Sequence, residues 1–343
     1  MGNEFFRFFD VRQASAITTA GQLSIRWIER KLNEYLNKVL GTTEKDYVIA
    51  SDTDSIYLVL DDLVRKTFDK ENTSCDVKQV IRFLDKVCEN KIQPFIDKAY
   101  SELARYTNAY SQKMIMKREA LADKGIWTAK KRYILNVYNN EGVEYKTPQV
   151  KIMGLEMIKS STPLACRTKL RESLDIILTK TEDDMINLIK QFRKEFKTLP
   201  LADIAFPRGV NNIEEYTDET SNGVFYKELY DDKEKVMTYT KGTPIHVRGS
   251  ILYNKHIISK KLNKKYPLIM QGEKIKYIYL KEPNHIQSNI ISFHQTLPPE
   301  LNLNKYIDYD IQFEKSFLEP LKTILDCIGW KTEKNITLES LFS

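Results

Sequence analysis

At 343 residues, 42% hydrophobic and 29% charged, the chain is long enough for two or three domains with ordinary cores. A net charge of +6, from 53 basic and 47 acidic residues, suits a polyanionic partner without singling one out. Four scattered cysteines with no Cys-x-x-Cys pair argue against a disulfide frame. With four histidines lacking metal-ligand spacing to them, they argue against a zinc site too. No apolar run approaches the ~18 residues of a membrane span, and the N-terminus lacks the apolar core of a signal peptide. A soluble intracellular protein is expected.

The first predicted element is a helix over residues 13–40, with an apolar stripe through Ile17, Ala20, Trp27, Ile28, Leu32, Leu36 and Val39 and a stop at Gly41. Two β-prone runs, residues 47–50 and 56–60, then flank Asp52-Thr53-Asp54-Ser55. Two carboxylates one residue apart on a hairpin tip suit hard Mg²⁺ held against phosphate oxygens. A polar β-turn is the plainer reading, since Asp and Ser are ordinary turn residues. The near-continuous apolar character of the flanking runs predicts a pair buried on both faces, where uncompensated carboxylates are costly. That favours the metal reading.

Val77, Val80, Ile81, Leu84 and Val87 mark a second helix, which Pro94 should break or offset before the pattern resumes to Tyr106. Residues 117–133 hold six basic side chains with Trp127 and Tyr133 interleaved, a composition for a nucleic-acid backbone groove or for a solvated face. From Lys130 the period is two, which places Lys131 and Tyr133 on one face of a strand. A turn at residues 139–142 leads to a return strand over residues 143–153. Next come two helices, the first capped by Ser161 or Thr162 ahead of Pro163, the second opened by Thr181 with Asp184. Those hydroxyls read equally as caps or as a phosphate site near Lys151 and Gly154. Residues 199–309 read as mixed, with short strands near 274–280 and loops. Arg248 there is a phosphate contact or a surface salt bridge. A last helix is predicted near 313–328, and Leu338, Leu341 and Phe342 form apolar anchors in the tail, for a partner's pocket or for the chain's own body.

Taken in order, Tyr-x-x-x-x-Asp-Thr-Asp-Ser (47–55), Lys-Arg-Glu-Ala (117–120), Trp127 with Lys-Lys-Arg-Tyr (130–133), and Lys-Ile-Met-Gly (151–154) resemble the family B DNA polymerases. Within them the chain is most similar to the replicative polymerases of T-even-type bacteriophages, over almost its whole length. The resemblance implies an α+β fold, with part of a polymerase palm over residues 1–154 as an antiparallel sheet with packed helices. A mainly helical thumb over 155–332 and a sliding-clamp tail over 333–343 would follow.

The resemblance further implies that Asp54 is the metal-binding aspartate of motif C, that Asp52 tunes the metal, and that Thr53 and Glu119 belong to the active site. Lys131 would contact the primer end, supported by Lys130, Arg132 and Tyr133. Lys151, Gly154, Ser161, Thr162 and Arg248 would contact DNA, and Leu338, Leu341 and Phe342 the clamp. Implied partners are primer-template DNA, dNTP and two Mg²⁺, in the cytoplasm of an infected bacterium.

Asn139 stands where the phage family has an aspartate. The exonuclease, the motif A aspartate and motif B are absent, which leads to the expectation of the C-terminal part of a split polymerase completed by a separate N-terminal chain. The rival readings are a non-catalytic DNA-binding and clamp-tethering subunit, another palm-type two-metal enzyme, and a purely structural protein.

Overall fold

The computed structural model describes residues 1–68, 76–216, 229–231, 236–238 and 242–333. The fold is α+β, as expected, and the chain divides into a unit over Met1–Ile152 and one over Met153–Ser343.

The first unit opens with α1 (Val11–Leu40). Asp10 caps it by accepting from the backbone N–H groups of Arg12 and Gln13, and Gly41 ends it at φ +71°, in the left-handed region that a side chain would resist. Only its C-terminal half is buried, along Ile28, Leu32, Leu36 and Leu40, one residue per turn. Trp27 locks this half to a later helix by donating its indole N–H to the Ala99 carbonyl at 2.9 Å. Further along the helix, Asn33 accepts from the N–H groups of Tyr47 and Val48 at 2.8 and 3.0 Å. One α1 side chain thus sets where β1 (Val48–Asp52) begins. β1 pairs antiparallel with β2 (Ser55–Leu58), Asp52 opposite Ser55.

α2 (Asp61–Phe68) follows, then α3 (Val77–Val87) where the spacing predicts it. Pro94 offsets the next helix and does not break it. A π-turn over Cys88–Ile92 runs directly into α4 (Gln93–Tyr106), which carries the proline in its first turn. The wider turn absorbs the missing N–H that would interrupt an α-helical ladder. β3 (Ala120–Ala129), β4 (Arg132–Asn140) and β5 (Val143–Met153) complete the unit as a three-stranded sheet in that order. Glu141 and Gly142, both at positive φ, make the β4–β5 turn.

The second unit starts with α5 (Leu164–Thr179) and α6 (Glu182–Phe196). Thr181 and Asp184 form the expected capping box on α6. Neither Ser161 nor Thr162 caps α5. Pro163, extended at φ −55° and ψ 145°, is the residue before the helix and offers no side-chain cap. α7 (Leu201–Ile204) and β6 (Phe206–Gly209) come next, then the short pair β7 (Leu229–Asp231) and β8 (Val236–Thr238).

α8 (Ile245–Ser259) crosses β9 (Lys274–Tyr279) and β10 (Ile290–Phe293), which form a sheet in the order β10-β9-β6. α9 (Tyr309–Phe313), a π-turn over Glu314–Leu318 and α10 (Glu319–Leu325) form one near-continuous helical run. Pro320 again follows the π-turn, the same solution as at Pro94. Phe192, Phe196, Phe313 and Phe317 interlock with ring centroids 4.8–5.7 Å apart, joining α6 to this run.

Cys88 and Cys166 are buried thiols, and burial pushes Cys88 up to about 11. No helix among the described residues is long and apolar enough to cross a membrane.

Burial lowers the His256 pKa to about 4, with Lys255, His285 and Lys260 adding to the effect. A histidine held neutral in the fold binds a proton more readily once unfolded. Its contribution to stability is therefore present above its ordinary value of 6.5 and is lost as pH falls toward 4. His246 is lowered in the same sense, again chiefly by burial. Glu300, held down to about 2 mainly by Lys265, loses its contribution as pH falls below its ordinary 4.5, outside the range from pH 7 to pH 5. The protection of α8 amides in the full chain, meaning exchange relative to the intrinsic rate at each pH, is expected to fall between pH 7 and pH 5, and His256→Gln to flatten that dependence. An unchanged profile in the variant would refute the assignment to His256.

Candidate functional site

Thr53 and Asp54 form the two-residue turn of the β1–β2 hairpin, with Thr53 at φ +53°. The tip is tied together by short bonds. The Asp54 N–H donates to the Asp52 carbonyl at 2.6 Å, and the Ser55 hydroxyl donates to that carbonyl at 3.1 Å. The Thr53 hydroxyl donates to the Asp52 carboxylate at 3.1 Å. These contacts leave the two acids unequal. Asp52 is half-buried and engaged, whereas Asp54 is exposed and its carboxylate has no hydrogen-bond or ion-pair partner among the described residues.

The hairpin is not buried on both faces, contrary to the sequence expectation. β2 is half-exposed throughout, and Ile49 in β1 is 46% exposed. Val48, Ile56 and Leu58 meet the core of α1, α3 and α4, and on the other face Tyr57 packs while Ile49 is left open; among the described residues the sheet has these two strands. The case for the metal reading therefore rests on the free, projecting Asp54 and not on a buried charge.

Lys130 and Lys131 also sit elsewhere than predicted. They are the turn between β3 and β4, with Ala129 opposite Arg132 and Lys131 at φ +62°. The sequence reading treated residues 117–133 as a run leading into one strand and missed β3. The many charged residues among 117–124 hide its alternation, and Gly125 interrupts it. Tyr133–Val137 are all buried, so β4 is covered on both faces, and α3 packs against β3 and β4.

Gly125 has a specific reason to lack a side chain. A Cβ there would lie 2.5 Å from the Trp127 ring. Trp127 in turn meets Tyr57 of β2 edge-on, with centroids 5.4 Å apart, and Tyr57 lies 5.2 Å from Tyr133. Burial and a hydrogen bond to Tyr133 push the Tyr57 hydroxyl up to about 12, so it stays neutral. Tyr57 was not singled out from sequence. Its signal is its place on the hairpin, three residues past Asp54, with its ring packed toward β3 and β4.

This aromatic junction joins the two hairpins, and it brings the Lys131 ammonium to 3.5 Å from Asp52. Nearby, Lys151 on β5 pairs with Glu119 at 2.5 Å. Arg118 binds Asp85 of α3 and donates to the Asn139 side chain at 2.8 Å. Asn139 is buried and also accepts from the Gly142 N–H. The amide therefore keeps an acceptor at this position, while Asp85 supplies the negative charge that Arg118 needs. Arg132 and Tyr133 open β4, with Tyr133 buried in the aromatic junction.

The remaining predicted residues belong to the second unit. Gly154 adopts φ +68°, Ser161 is half-buried, and Thr162 is buried with only 4% exposed, which leaves its hydroxyl little surface to offer a phosphate. Arg248 lies on α8, half-buried. Leu338, Leu341 and Phe342 lie outside the described residues.

No protein-family model matches the chain. The whole chain aligns with the DNA-directed DNA polymerase of Enterobacteria phage T4 at 35% identity and with that of Escherichia phage RB69 at 36%. The chain is a relative of these phage DNA polymerases. It spans 37% of the length of each of them.

A divalent metal can be tested against the donors in place. The hard oxygens of Asp52 and Asp54 on one tip suit Mg²⁺, with Asp54 open to receive it. They are two donors only. No group of three or more His, Cys, Asp or Glu residues that could hold a metal occurs among the described residues.

Proposed function

We propose that this chain supplies the motif C half of the palm, over residues 1–154, and the thumb, over 155–332, of a phage family B DNA-directed DNA polymerase. A separate chain would supply the exonuclease and motifs A and B. The observation that carries the reading is the alignment of the entire chain with 37% of the length of two phage DNA polymerases. The free Asp54 on its hairpin tip supports it chemically.

In this reading Asp54 and Asp52 hold Mg²⁺ together with a carboxylate from the partner chain. The metals would stabilise the attacking and leaving oxygens of an in-line displacement on dNTP. Asp54 contributes an unneutralised charge at a point fixed by the two-residue turn. Thr53 orients Asp52 through its hydroxyl. Lys131, at the second hairpin's tip, contacts the primer end, with Lys130 and Arg132 as neighbouring phosphate contacts. Tyr133 acts by holding that tip against Tyr57. Glu119 and Lys151 form a charged pair at the edge of the site, and in the second unit Gly154, Ser161 and Arg248 contact the duplex, with Thr162 buried behind Ser161. The tail over 333–343, with Leu338, Leu341 and Phe342, tethers a sliding clamp, and the work is done in the cytoplasm of the infected host.

The N-terminal surface supports a partner chain. Phe5, Phe6, Phe8, Phe9, Val11, Ile17 and Leu23 are all exposed within the first 23 residues. So continuous an apolar run is more than scattered surface residues need, and it suits a surface that another polypeptide covers. Co-purification of this chain with a chain carrying motifs A and B tests the assembly. Truncation of residues 1–9 is expected to weaken it. Unchanged association of the truncated chain would remove that surface from the account.

A further inference from the structure

The approach of Lys131 to Asp52 has a consequence for when the two acids can take up metal. Lys131 stands in a backbone conformation unusual for a side-chain-bearing residue, at φ +62° in a turn whose ends are fixed by the Ala129–Arg132 register. Its ammonium lies 3.5 Å from the Asp52 carboxylate, and its side chain is 63% exposed. The base of this arm is held by the Tyr57–Trp127–Tyr133 junction, while its exposure lets a competing anion reach the ammonium. Asp52 is thus half-neutralised by a cation that can leave, and Asp54, on the same tip, is not neutralised at all.

We propose that Lys131 is a movable counter-ion that couples duplex binding to metal binding. Without nucleic acid it neutralises Asp52 and weakens the field that draws a divalent cation to the tip. When a nucleic-acid duplex arrives, its phosphates and groove-edge acceptors compete for the ammonium, and Asp52 regains its full charge. By linkage, the metal strengthens duplex binding by the same factor. The proposal rests on the reading of Asp52 and Asp54 as metal-holding groups. Because the pair is exposed, the effect is modest, about two- to fivefold in metal affinity.

The test measures Mn²⁺ binding by electron paramagnetic resonance at low salt, with this chain assembled with the chain that carries motifs A and B. It compares the wild type with Lys131→Met, Lys131→Arg and Asp54→Ala, each with and without a saturating short duplex. Binding to the Asp54→Ala protein is subtracted as the contribution of other sites and of the DNA. Without duplex, Lys131→Met is expected to bind Mn²⁺ about two- to fivefold more tightly than wild type, with Lys131→Arg close to wild type. Duplex should raise the affinity of the wild type toward that of Lys131→Met and leave Lys131→Met unchanged. If Asp54→Ala abolishes specific binding but Lys131→Met binds like wild type, the counter-ion proposal is overturned and the metal reading stands. If neither substitution alters Mn²⁺ binding, both fall.

Discussion

Alanine at Asp54 is expected to remove nucleotide addition while leaving the duplex bound. In a mixture of this chain with a partner carrying motifs A and B, primer extension should fall on the order of 10³-fold or more, the scale of several kcal/mol of lost metal-held charge stabilisation. Duplex affinity should stay within about twofold, because an acidic residue makes no attractive phosphate contact. The expected result follows from the geometry of the tip. Asp54 projects without a partner among the described residues, so its removal frees no buried group and disturbs no packing. Thermal stability should accordingly be unchanged, which separates a lost ligand from a lost fold. Full activity in the variant would favour the rival reading, a DNA-binding and clamp-tethering subunit in which the two acids do no chemistry.

Gly249→Ala is expected to have the largest effect on stability. α8 rests on β10 so closely that a Cβ at Gly249 would lie 2.6 Å from the Ser292 hydroxyl, 2.8 Å from the Ser292 backbone nitrogen and 3.1 Å from the Ile291 carbonyl carbon. Backbone in a buried strand cannot step aside as a long side chain can. Ser292 is fully buried, and its hydroxyl donates to the His246 carbonyl at 2.8 Å, a bond that the displaced helix would also strain. Overpacking of this kind costs about 1–3 kcal/mol, and the strained hydrogen bond moves the expected loss to the upper end, about 3 kcal/mol. Chemical denaturation followed by amide exchange in α8 and β10 would register it. A variant as stable as wild type would mean that the helix can move off the sheet without cost. The glycine of the His-Val-Arg-Gly run thus has a packing reason that sequence alone did not suggest.

How much was legible in the sequence depended on whether an element meets water. α1, α3 and α6 each bury one stripe and expose the rest, so their periodicity and caps could be read, down to Gly41 and the Thr181–Asp184 box. α8 was missed because Val247, Ile251, Leu252, Tyr253 and Ile257 bury it nearly all round, and a helix buried on every side shows no stripe. β3 was missed for the opposite reason, since charged residues and Gly125 break its alternation. At the site, the types and order of Asp52, Asp54, Lys131 and Tyr133 were legible. Their placement was not: only the folded junction of Tyr57, Trp127 and Tyr133 brings Lys131, 79 positions further along, to Asp52. The buried-hairpin argument failed because an apolar run does not say how many strands cover it.

The most direct test of the account is primer extension by three preparations at matched concentration: this chain alone, a chain carrying the exonuclease with motifs A and B alone, and the two mixed. The account predicts template-directed extension by the mixture and none by this chain alone. Extension by this chain alone at the rate of the mixture would contradict it.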